Sequence, residues 1–154
     1  MNCSKTQYLE FRTKNYYNVN TQINYGQKYI TKATEIKFLG LIIDDSLSWK
    51  QHLEQLGSTM CTVCYALRNI KHIVPLDTVR IIYFAHIHFI ISYDIIFGGS
   101  ASYANKVVIL QKKIVRIITN TKSRDSCREV SKNMEIMRLF SQYVYSLISY
   151  TFIL

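Results

Sequence analysis

An apolar pattern in the middle of this 154-residue sequence constrains its fold more than any other feature. From residue 49 to residue 70, large apolar side chains recur at alternating spacings of four and three: Trp49, Leu53, Leu56, Met60, Val63, Leu67 and Ile70. Because these spacings place side chains on one side of an α-helix, the pattern predicts a helix over about residues 48–71 that packs along its length. Gly57 is unfavourable within this predicted helix, since glycine lowers helix stability by about 1 kcal/mol relative to alanine.

Four further helices are predicted after this one. Pro75 interrupts the chain, and Asp77 opens a second helix, because a carboxylate is favoured at the positive end of a helix. That helix runs through an apolar segment and ends near Gly98 and Gly99. The remaining three are predicted over residues 103–119, 123–133 and 136–152.

The first third of the chain has strand patterns instead. Residues 6–12, TQYLEFR, alternate as a half-buried strand does. A hairpin is predicted at Tyr25 and Gly26, because glycine tolerates a positive φ, and residues 35–43 are the strongest strand candidate. The sequence therefore predicts an α+β fold, with a small antiparallel β-region over residues 1–45 and an α-helical bundle over residues 46–154. The apolar end of the chain, without a capping residue, indicates truncation at the C-terminus.

Composition excludes several classes of protein. The 49% apolar content argues against disorder, and the amino terminus lacks the apolar core of a signal peptide. Four cysteines without a secretion signal fit a reducing compartment, so an intracellular protein of the nucleus or cytoplasm is expected. Residues 79–99 are long enough to cross a membrane, but Arg80, His86, His88 and Asp94 interrupt them at high cost in hydrocarbon. A buried helix of a soluble protein is therefore expected, and no membrane partner.

Asp44 and Asp45 follow the last predicted strand, and paired aspartates beside an apolar strand can hold the cations of a two-metal nucleotidyl-transfer site. Such a site needs a third carboxylate from another strand, and the β-region otherwise has only Glu10 and Glu35. Side-chain oxygens at a helix start also accept hydrogen bonds from its free N–H groups. We therefore interpret Asp45 or Ser46 as the cap of the following helix, with no catalytic residue and no metal site in the chain.

Other clusters of reactive side chains are weak candidates for a site. Cys61 and Cys64 have the spacing of zinc ligands, but no second pair accompanies them, so both are interpreted as small packing residues. His86 and His88 project about 200° apart on a helix and cannot share one ion. No Ser-His-Asp set, glycine-rich phosphate loop or general acid–base pair is visible in the sequence, and no cofactor or small-molecule substrate is expected.

Charge is unevenly distributed along the chain, whose net charge is +9. Residues 106–154 carry nine basic and three acidic side chains, whereas residues 38–105 carry four and five. The densest group of basic residues, here named the basic cluster, comprises Lys112, Lys113, Arg116, Lys122, Arg124 and Arg128. The basic cluster is either a solvated face or a track for the phosphates of a nucleic acid.

Five blocks of the sequence resemble, in order, one protein family. The block KFLGLIIDDSLSWKQHL is similar to the pattern K-F-L-G-h-x-h-D-x-x-L-x-W-x-x-H-h, where h is apolar, of reverse transcriptases from non-LTR retrotransposons of the LINE and jockey type. The other blocks are NCSKTQYLEF, VCYALRNIK, IYFAHIHFIISYDIIFGGS and LQKKIVRIITNTKSRDSCREV. Together the blocks extend across nearly the whole chain.

The resemblance implies the late palm and the helical thumb of an RNA-directed DNA polymerase, whose intact form uses Mg²⁺. The family's catalytic aspartates lie in two earlier palm motifs, upstream of the strand at which this chain begins. Asp44 and Asp45 would then be the strand-to-thumb junction, and the chain would have no polymerase activity of its own. The basic cluster would hold an RNA/DNA template–primer duplex, weakly and independently of sequence.

Three departures from the family pattern accompany this resemblance: Asp94 replaces a glycine, Gly98 a tryptophan and Ser131 a large apolar residue. Loss of an indole costs several kcal/mol by analogy with large-to-small core changes, so these departures fit decay in an inactive copy. Two other hypotheses remain open. One is a stand-alone basic helical module that binds nucleic acid, and the other is a membrane-associated protein that uses residues 79–99.

Overall fold

The computed structural model describes residues 6–13, 21–99, 103–122 and 125–153. The chain forms two compact units, Met1–His52 and Leu53–Leu154. In the described residues, the first unit contains the strands and the start of the longest helix, and the second unit is helical. The predicted α+β class is therefore confirmed. The two units divide inside this helix, whereas the sequence pattern placed the change between residues 45 and 46.

Among the described residues, six short strands form three two-stranded sheets. They are β1 (Gln7–Leu9), β2 (Asn24–Tyr25), β3 (Lys28–Tyr29), β4 (Thr31–Ala33), β5 (Glu35–Phe38) and β6 (Leu41–Asp44). The pairs β2–β3 and β5–β6 are antiparallel, as predicted for this region, whereas β1 and β4 pair in parallel. The β2–β3 hairpin turns at Gly26, whose φ is 62°, as the sequence predicted.

The strongest predicted strand, residues 35–43, is a hairpin instead. It turns at Leu39 and Gly40, whose φ values are 48° and 88°. Two consecutive residues with positive φ form the tight turn whose twist matches that of the flanking strands. Phe38 and Leu41 therefore lie directly opposite each other. The single-strand prediction was wrong because leucine is uncommon at a positive φ, so one glycine was the only turn signal in residues 35–43.

The described helices are α1 (Lys50–Ile70), α2 (Leu76–Ile82), α3 (Phe89–Gly98), α4 (Ala104–Thr119), α5 (Cys127–Asn133) and α6 (Leu139–Ile153). A π-helical segment, Tyr83–His88, joins α2 to α3, so the predicted second helix is continuous but carries an irregular turn. Such segments are rare and break the regular hydrogen-bond ladder. The other four predicted helices are present.

The predicted seam of α1 contributes to the core of the second unit. Leu53, Leu56, Met60 and Leu67 are at most 3% exposed, whereas Val63 is only half-buried. The core side chains from the other helical elements include Val79, Tyr83, Ile91, Val107, Ile114, Cys127 and Leu139. Apolar side chains from every helix of the unit thus close one core.

A single buried amide joins three parts of this core. Gln111 on α4 is 3% exposed; its Nε2 donates to Tyr83 Oη and to the Met137 carbonyl, both at 3.0 Å. Its Oε1 accepts from the Leu139 N–H at 2.9 Å, and this bond satisfies a free N–H at the start of α6. Burial raises the pKa of Tyr83 to about 12, against a smaller lowering by the hydrogen bond from Gln111, so the phenol stays neutral. Apolar periodicity alone gave no indication of this role.

Two of the three residues that depart from the pattern of the resembled family are buried. Asp94 is 8% exposed on α3, and Gly98 is the last residue of that helix. Ser131 is 5% exposed on α5, beside a cavity of about 20 Å³ that Val115 and Cys127 also line. The cavity has room for about one water molecule, as expected where a small side chain stands at a core position.

Two glycines of the second unit lead to opposite predictions. A Cβ at Gly57 would lie 3.5 Å from Leu110 Cδ1, an ordinary contact, so Gly57→Ala should stabilise the fold by about 0.5–1 kcal/mol. A Cβ at Gly99 would lie 2.5 Å from Tyr143 Cδ2 and 2.7 Å from the Ile95 carbonyl oxygen. Gly99→Ala should therefore destabilise the fold by about 1–3 kcal/mol. Urea unfolding followed by far-UV circular dichroism measures both changes, and changes of the same sign would contradict the packing described.

Candidate nucleic-acid interface

The aspartate pair lies where β6 meets α1, and Asp44 caps the start of that helix. Its Oδ2 accepts hydrogen bonds from the hydroxyls of Ser46 and Ser48 at 2.6 and 2.7 Å, and its Oδ1 accepts from the Trp49 N–H at 3.3 Å. Ser48 Oγ in turn accepts from the N–H of the first residue of α1 at 3.3 Å. The cap is therefore formed by Asp44 and Ser48, and the prediction of Asp45 or Ser46 was wrong in its residues.

Neighbouring motif residues strengthen the same junction. The rings of Trp49 and His52 meet edge to face, with centroids 6.1 Å apart. His52 is buried, and its Nδ1 accepts from the Ile42 N–H of β6 at 3.5 Å. The Asp45 carbonyl accepts from the Arg12 N–H at 2.8 Å. Residues 44–52, which form the D-x-x-L-x-W-x-x-H part of the sequence, thus hold the β5–β6 hairpin against the start of α1.

Asp44 should make the first unit sensitive to acid. Burial raises the pKa of this carboxyl, but hydrogen bonds from Ser46, Ser48 and Trp49 outweigh burial and hold the pKa below its usual value of 3.8. Because the pKa is lower in the folded than in the unfolded state, the stabilisation is present above pH 3.8 and is lost as the pH falls through the folded-state pKa. Asp44→Asn should cost about 0.5–2 kcal/mol at neutral pH and much less in acid.

Fluorescence can follow this effect, because Trp49 adjoins Asp44 and is the single tryptophan of the chain. Urea unfolding of the natural sequence and of Asp44→Asn is measured at neutral pH and again below the pKa of Asp44. Asp45→Asn serves as a control, since the contacts of Asp45 at this junction are made by its backbone. A stability difference for Asp44→Asn that does not shrink in acid would refute the capping role.

The cysteine and histidine pairs do not combine into one site. In the described part of the chain, no group of three or more His, Cys, Asp or Glu side chains is placed to hold a metal ion. Cys64 is buried as predicted, but Cys61 is exposed and is not a packing residue. His86 is exposed and His88 is half-buried, and burial lowers the pKa of His88. Each pair is therefore divided between different environments.

The apolar stretch Leu76–Phe97 is, by length and composition alone, able to cross a membrane. A core helix of a soluble protein meets the same criterion, and 33% of an 18-residue apolar part of this stretch is buried. Val79, Tyr83 and Ile91 are at most 1% exposed, as the buried-helix interpretation expects, whereas Phe89 is 67% exposed. One side of this helix is thus in the core, and the other side is apolar and uncovered.

Three members of the basic cluster lie on the outward side of α4. The buried side of this helix comprises Ala104, Val107, Gln111, Ile114, Val115 and Ile118. At about 100° of rotation per residue, the Arg116 side chain projects roughly opposite the centre of the buried side. Lys112 is rotated from Arg116 by about 40° in one direction around the helix, and Lys113 by about 60° in the other. Both lysines are exposed, and Arg116 is half-buried. The buried residues of α4 and these basic residues therefore lie on different sides, although Ile109, which is 64% exposed, shares the outward side with Arg116.

The chain after α4 folds back along the Lys112 side of that helix. The Cys127 Sγ at the start of α5 lies 3.8 Å from the Lys112 carbonyl oxygen. The Arg116 Nη2 donates to the Asp125 carbonyl at 3.4 Å. These two contacts place α5 and the segment before it beside the basic residues of α4.

Lys122 and Arg128 extend this surface. The Lys122 N–H donates to the Asp125 carboxylate at 2.9 Å, while the Lys122 side chain is exposed. Arg128 is exposed on the first turn of α5. Arg124 lies outside the described residues. Four of the six predicted residues, Lys112, Arg116, Lys122 and Arg128, thus lie where α4 and α5 meet, with Asp125 and Glu129 as acidic neighbours, and Lys113 lies on the other side of Arg116.

Further basic residues border this surface and were missed by the sequence prediction. Lys132 and Arg138 are exposed on and just after α5. Arg68 is exposed near the end of α1, which runs beside α4, since Lys71 Nζ donates to the Ile117 carbonyl at 3.1 Å. The sequence indicated these three residues only weakly, because they are isolated basic residues on different elements. Only the fold places those elements side by side.

Comparison of the chain with protein-family models, with curated proteins and with solved structures finds no match. What the chain does must therefore be inferred from its own sequence blocks and its surface.

Proposed function

We propose that the chain is the late palm and thumb of a non-LTR retrotransposon reverse transcriptase, and that its helical unit holds a template–primer duplex. The five sequence blocks, which occur in the family's order, support the assignment to this family. The observation that carries the binding role is the exposed basic surface of α4 and α5. Its exposed members are Lys112, Lys113, Lys122 and Arg128, and Arg116, between them, is half-buried.

This surface suits phosphates better than base edges. A nucleic-acid duplex carries one negative charge per about 1.7 Å of its axis, and the 16 residues of α4 span about 24 Å, so the helix can face many phosphates. Lysine and arginine contacts to phosphates fix position without reading sequence. The guanidinium of Arg116 has five N–H donors, and its hydrogen bond to the Asp125 carbonyl is long. It can therefore also donate a hydrogen bond to a phosphate.

In this proposed role the chain contributes no catalytic residue. Asp44 is engaged by two serine hydroxyls and a backbone N–H, as a helix cap is. In the family that the chain resembles, the aspartates that hold Mg²⁺ belong to other palm motifs. The role proposed here is therefore to hold nucleic acid and not to extend it.

Binding of the purified chain to RNA–DNA hybrid duplexes of unrelated sequence tests this function. Fluorescence anisotropy should give dissociation constants of about 10⁻⁴–10⁻⁶ M at physiological salt that differ little between sequences. A primed RNA template with Mg²⁺ should show no incorporation. Absence of binding in this range, or strong preference for one sequence, would contradict the holding role. Incorporation that disappears in Asp44→Ala/Asp45→Ala would contradict the capping role.

A stand-alone nucleic-acid-binding module is the second candidate. The observation in its favour is that Leu53–Leu154 is compact and has its own core. Competition experiments distinguish the two candidates. Heparin and single-stranded RNA of equal charge should displace the hybrid duplex equally well from a module that binds any polyanion. A thumb should retain the hybrid duplex more strongly than either competitor.

A further inference from the structure

A cavity of about 350 Å³ lies beside the β2–β3 hairpin in the first unit. Its volume falls within the range of about 300–1,000 Å³ in which proteins bind small molecules. The residues that line it include two tyrosines, two isoleucines and a lysine: Tyr8, Tyr29, Ile23, Ile30 and Lys32. This lining belongs to the first unit, whereas the basic cluster belongs to the second.

Hydrogen bonds hold the walls of this cavity in place. The Tyr8 hydroxyl donates to the Thr21 carbonyl, which ties β1 to the chain before the hairpin. Tyr8 and Lys32 lie directly opposite each other in the parallel β1–β4 pair. The Ile30 N–H donates to the Ile23 carbonyl at 2.9 Å, so the hairpin pairing continues beyond β2 and β3. The walls of the cavity thus belong to paired strands.

The side chain of Tyr29 is placed to stack with a flat ring. It lines the cavity but is 70% exposed, whereas Tyr8 is half-buried. Asn24 lies directly opposite Tyr29 in the hairpin, and Tyr25 lies opposite Lys28. Because neighbouring residues of a strand point to opposite faces, Tyr29 is on the cavity side, and Tyr25 and Lys28 are on the other side. An accessible aromatic ring binds nucleobases by stacking, whatever their sequence.

The charges at the cavity cancel. The Lys32 ammonium pairs with the Glu10 carboxylate, and their side chains are 28 and 18% exposed. This pair has no net charge with which to attract a phosphate, so the cavity suits an uncharged ring. Thr21 and Gln22, both exposed, add a hydroxyl and an amide, which donate and accept hydrogen bonds. A nucleobase matches these groups, because it combines a flat face with donors and acceptors at its edge.

We propose that this cavity binds one unpaired base of a single-stranded nucleic acid, stacked on the ring of Tyr29. This role rests on the proposed function, which makes nucleic acid the ligand of the chain, and it adds a site for an unpaired base to the surface for duplex phosphates. Thr21, Gln22 and Tyr29 are exposed, so the cavity is open to solvent and the strand can continue on both sides of the bound base. Every base has a flat face, so the contact tolerates any sequence.

A short RNA strand that carries one 2-aminopurine base among abasic positions tests this site in the full chain. The fluorescence of 2-aminopurine falls when the base stacks on another ring, so a titration follows the stacked base. We expect the natural sequence to quench this fluorescence and Tyr29→Ala to bind the base about 5- to 150-fold more weakly. Tyr29→Phe keeps the ring and should retain the quenching. Because Tyr29 is exposed, the circular dichroism spectrum of both variants should be unchanged.

Tyr25→Ala is the matched control, because it removes an exposed tyrosine from the other side of the same hairpin. It should quench the fluorescence as the natural sequence does. Tyr29→Ala should leave the binding of a blunt hybrid duplex and its salt dependence unchanged, whereas Lys112→Gln/Lys113→Gln should alter both. A failure of the base site and a failure of the proposed function are therefore seen in different measurements.

Three results would overturn the base site. Tyr29→Ala could quench the fluorescence as strongly as the natural sequence. Tyr29→Ala and Tyr25→Ala could weaken the quenching equally, which would mean that the cavity has no special role. Lastly, free 2-aminopurine riboside could bind as tightly as the strand, and the cavity would then be a site for free nucleosides.

Discussion

Gln111→Leu should lower the free energy of unfolding of the helical unit by about 3–9 kcal/mol, because it leaves three buried polar groups without a hydrogen-bond partner, at about 1–3 kcal/mol each. These groups are the Tyr83 hydroxyl, the Met137 carbonyl and the Leu139 N–H, which Gln111 now satisfies at 2.9–3.0 Å. Leucine fills a similar volume, so the loss would arise from polarity and not from a cavity. A loss of this size is a large part of the 5–15 kcal/mol that stabilises a typical domain.

Urea unfolding followed by far-UV circular dichroism measures this change in the helical unit. Gln55→Leu, at an exposed position of α1, should change stability by about 0.5 kcal/mol or less and controls for the substitution itself. Adding Tyr83→Phe to Gln111→Leu removes a stranded partner and should recover about 1 kcal/mol relative to additivity. A loss below 1 kcal/mol for Gln111→Leu would show that the amide does not join α4, the π-helical segment and α6.

Lys112→Gln/Lys113→Gln should weaken binding of a hybrid duplex by roughly 10- to 100-fold near 0.1 M salt, if each lysine neutralises one phosphate. The reason is that each lost contact removes the entropy of counterion release. The loss should be equal on unrelated sequences, because phosphate contacts carry no base information. Both side chains are exposed, so the fold should be retained, which circular dichroism checks.

A matched control comes from Lys28→Gln/Lys37→Gln, two exposed lysines of the other unit. Lys32 is unsuitable as a third control position, because its ammonium pairs with Glu10. The control should weaken binding by less than the Lys112/Lys113 pair does, since it changes only the net charge. Equal losses from the two pairs would show that the basic cluster has no special role.

Periodicity predicted the helices well where apolar spacing alone decides. Leu53, Met60 and Leu67 recur at helical intervals and lie in the core, as the sequence indicates. The same reasoning failed at Leu39, because nothing local marks a leucine for positive φ. The π-helical segment was also missed, since its residues have the composition of an ordinary buried helix.

The polar residues of the core were harder to predict from the sequence than the apolar ones. Gln111 stands next to the basic residues of α4 and resembles one more solvated side chain until the fold brings Tyr83 and Leu139 to it. The exposure of apolar residues of α6, such as Phe152, was missed for a similar reason, because which side of an apolar helix faces inward depends on its neighbours. The basic cluster could be predicted as a group because most of its members are close in sequence, whereas Arg68 and Arg138 join it only through the fold.

The dependence of hybrid binding on salt tests the central claim most directly, because it counts the phosphates that the protein neutralises. The logarithm of the binding constant is measured against the logarithm of salt concentration for the natural sequence, for Lys112→Gln/Lys113→Gln and for Lys28→Gln/Lys37→Gln. We expect a steep negative slope for the natural sequence, a slope about two units shallower for the first variant and nearly the original slope for the second. A slope that is unchanged by Lys112→Gln/Lys113→Gln would contradict a phosphate-holding surface on α4.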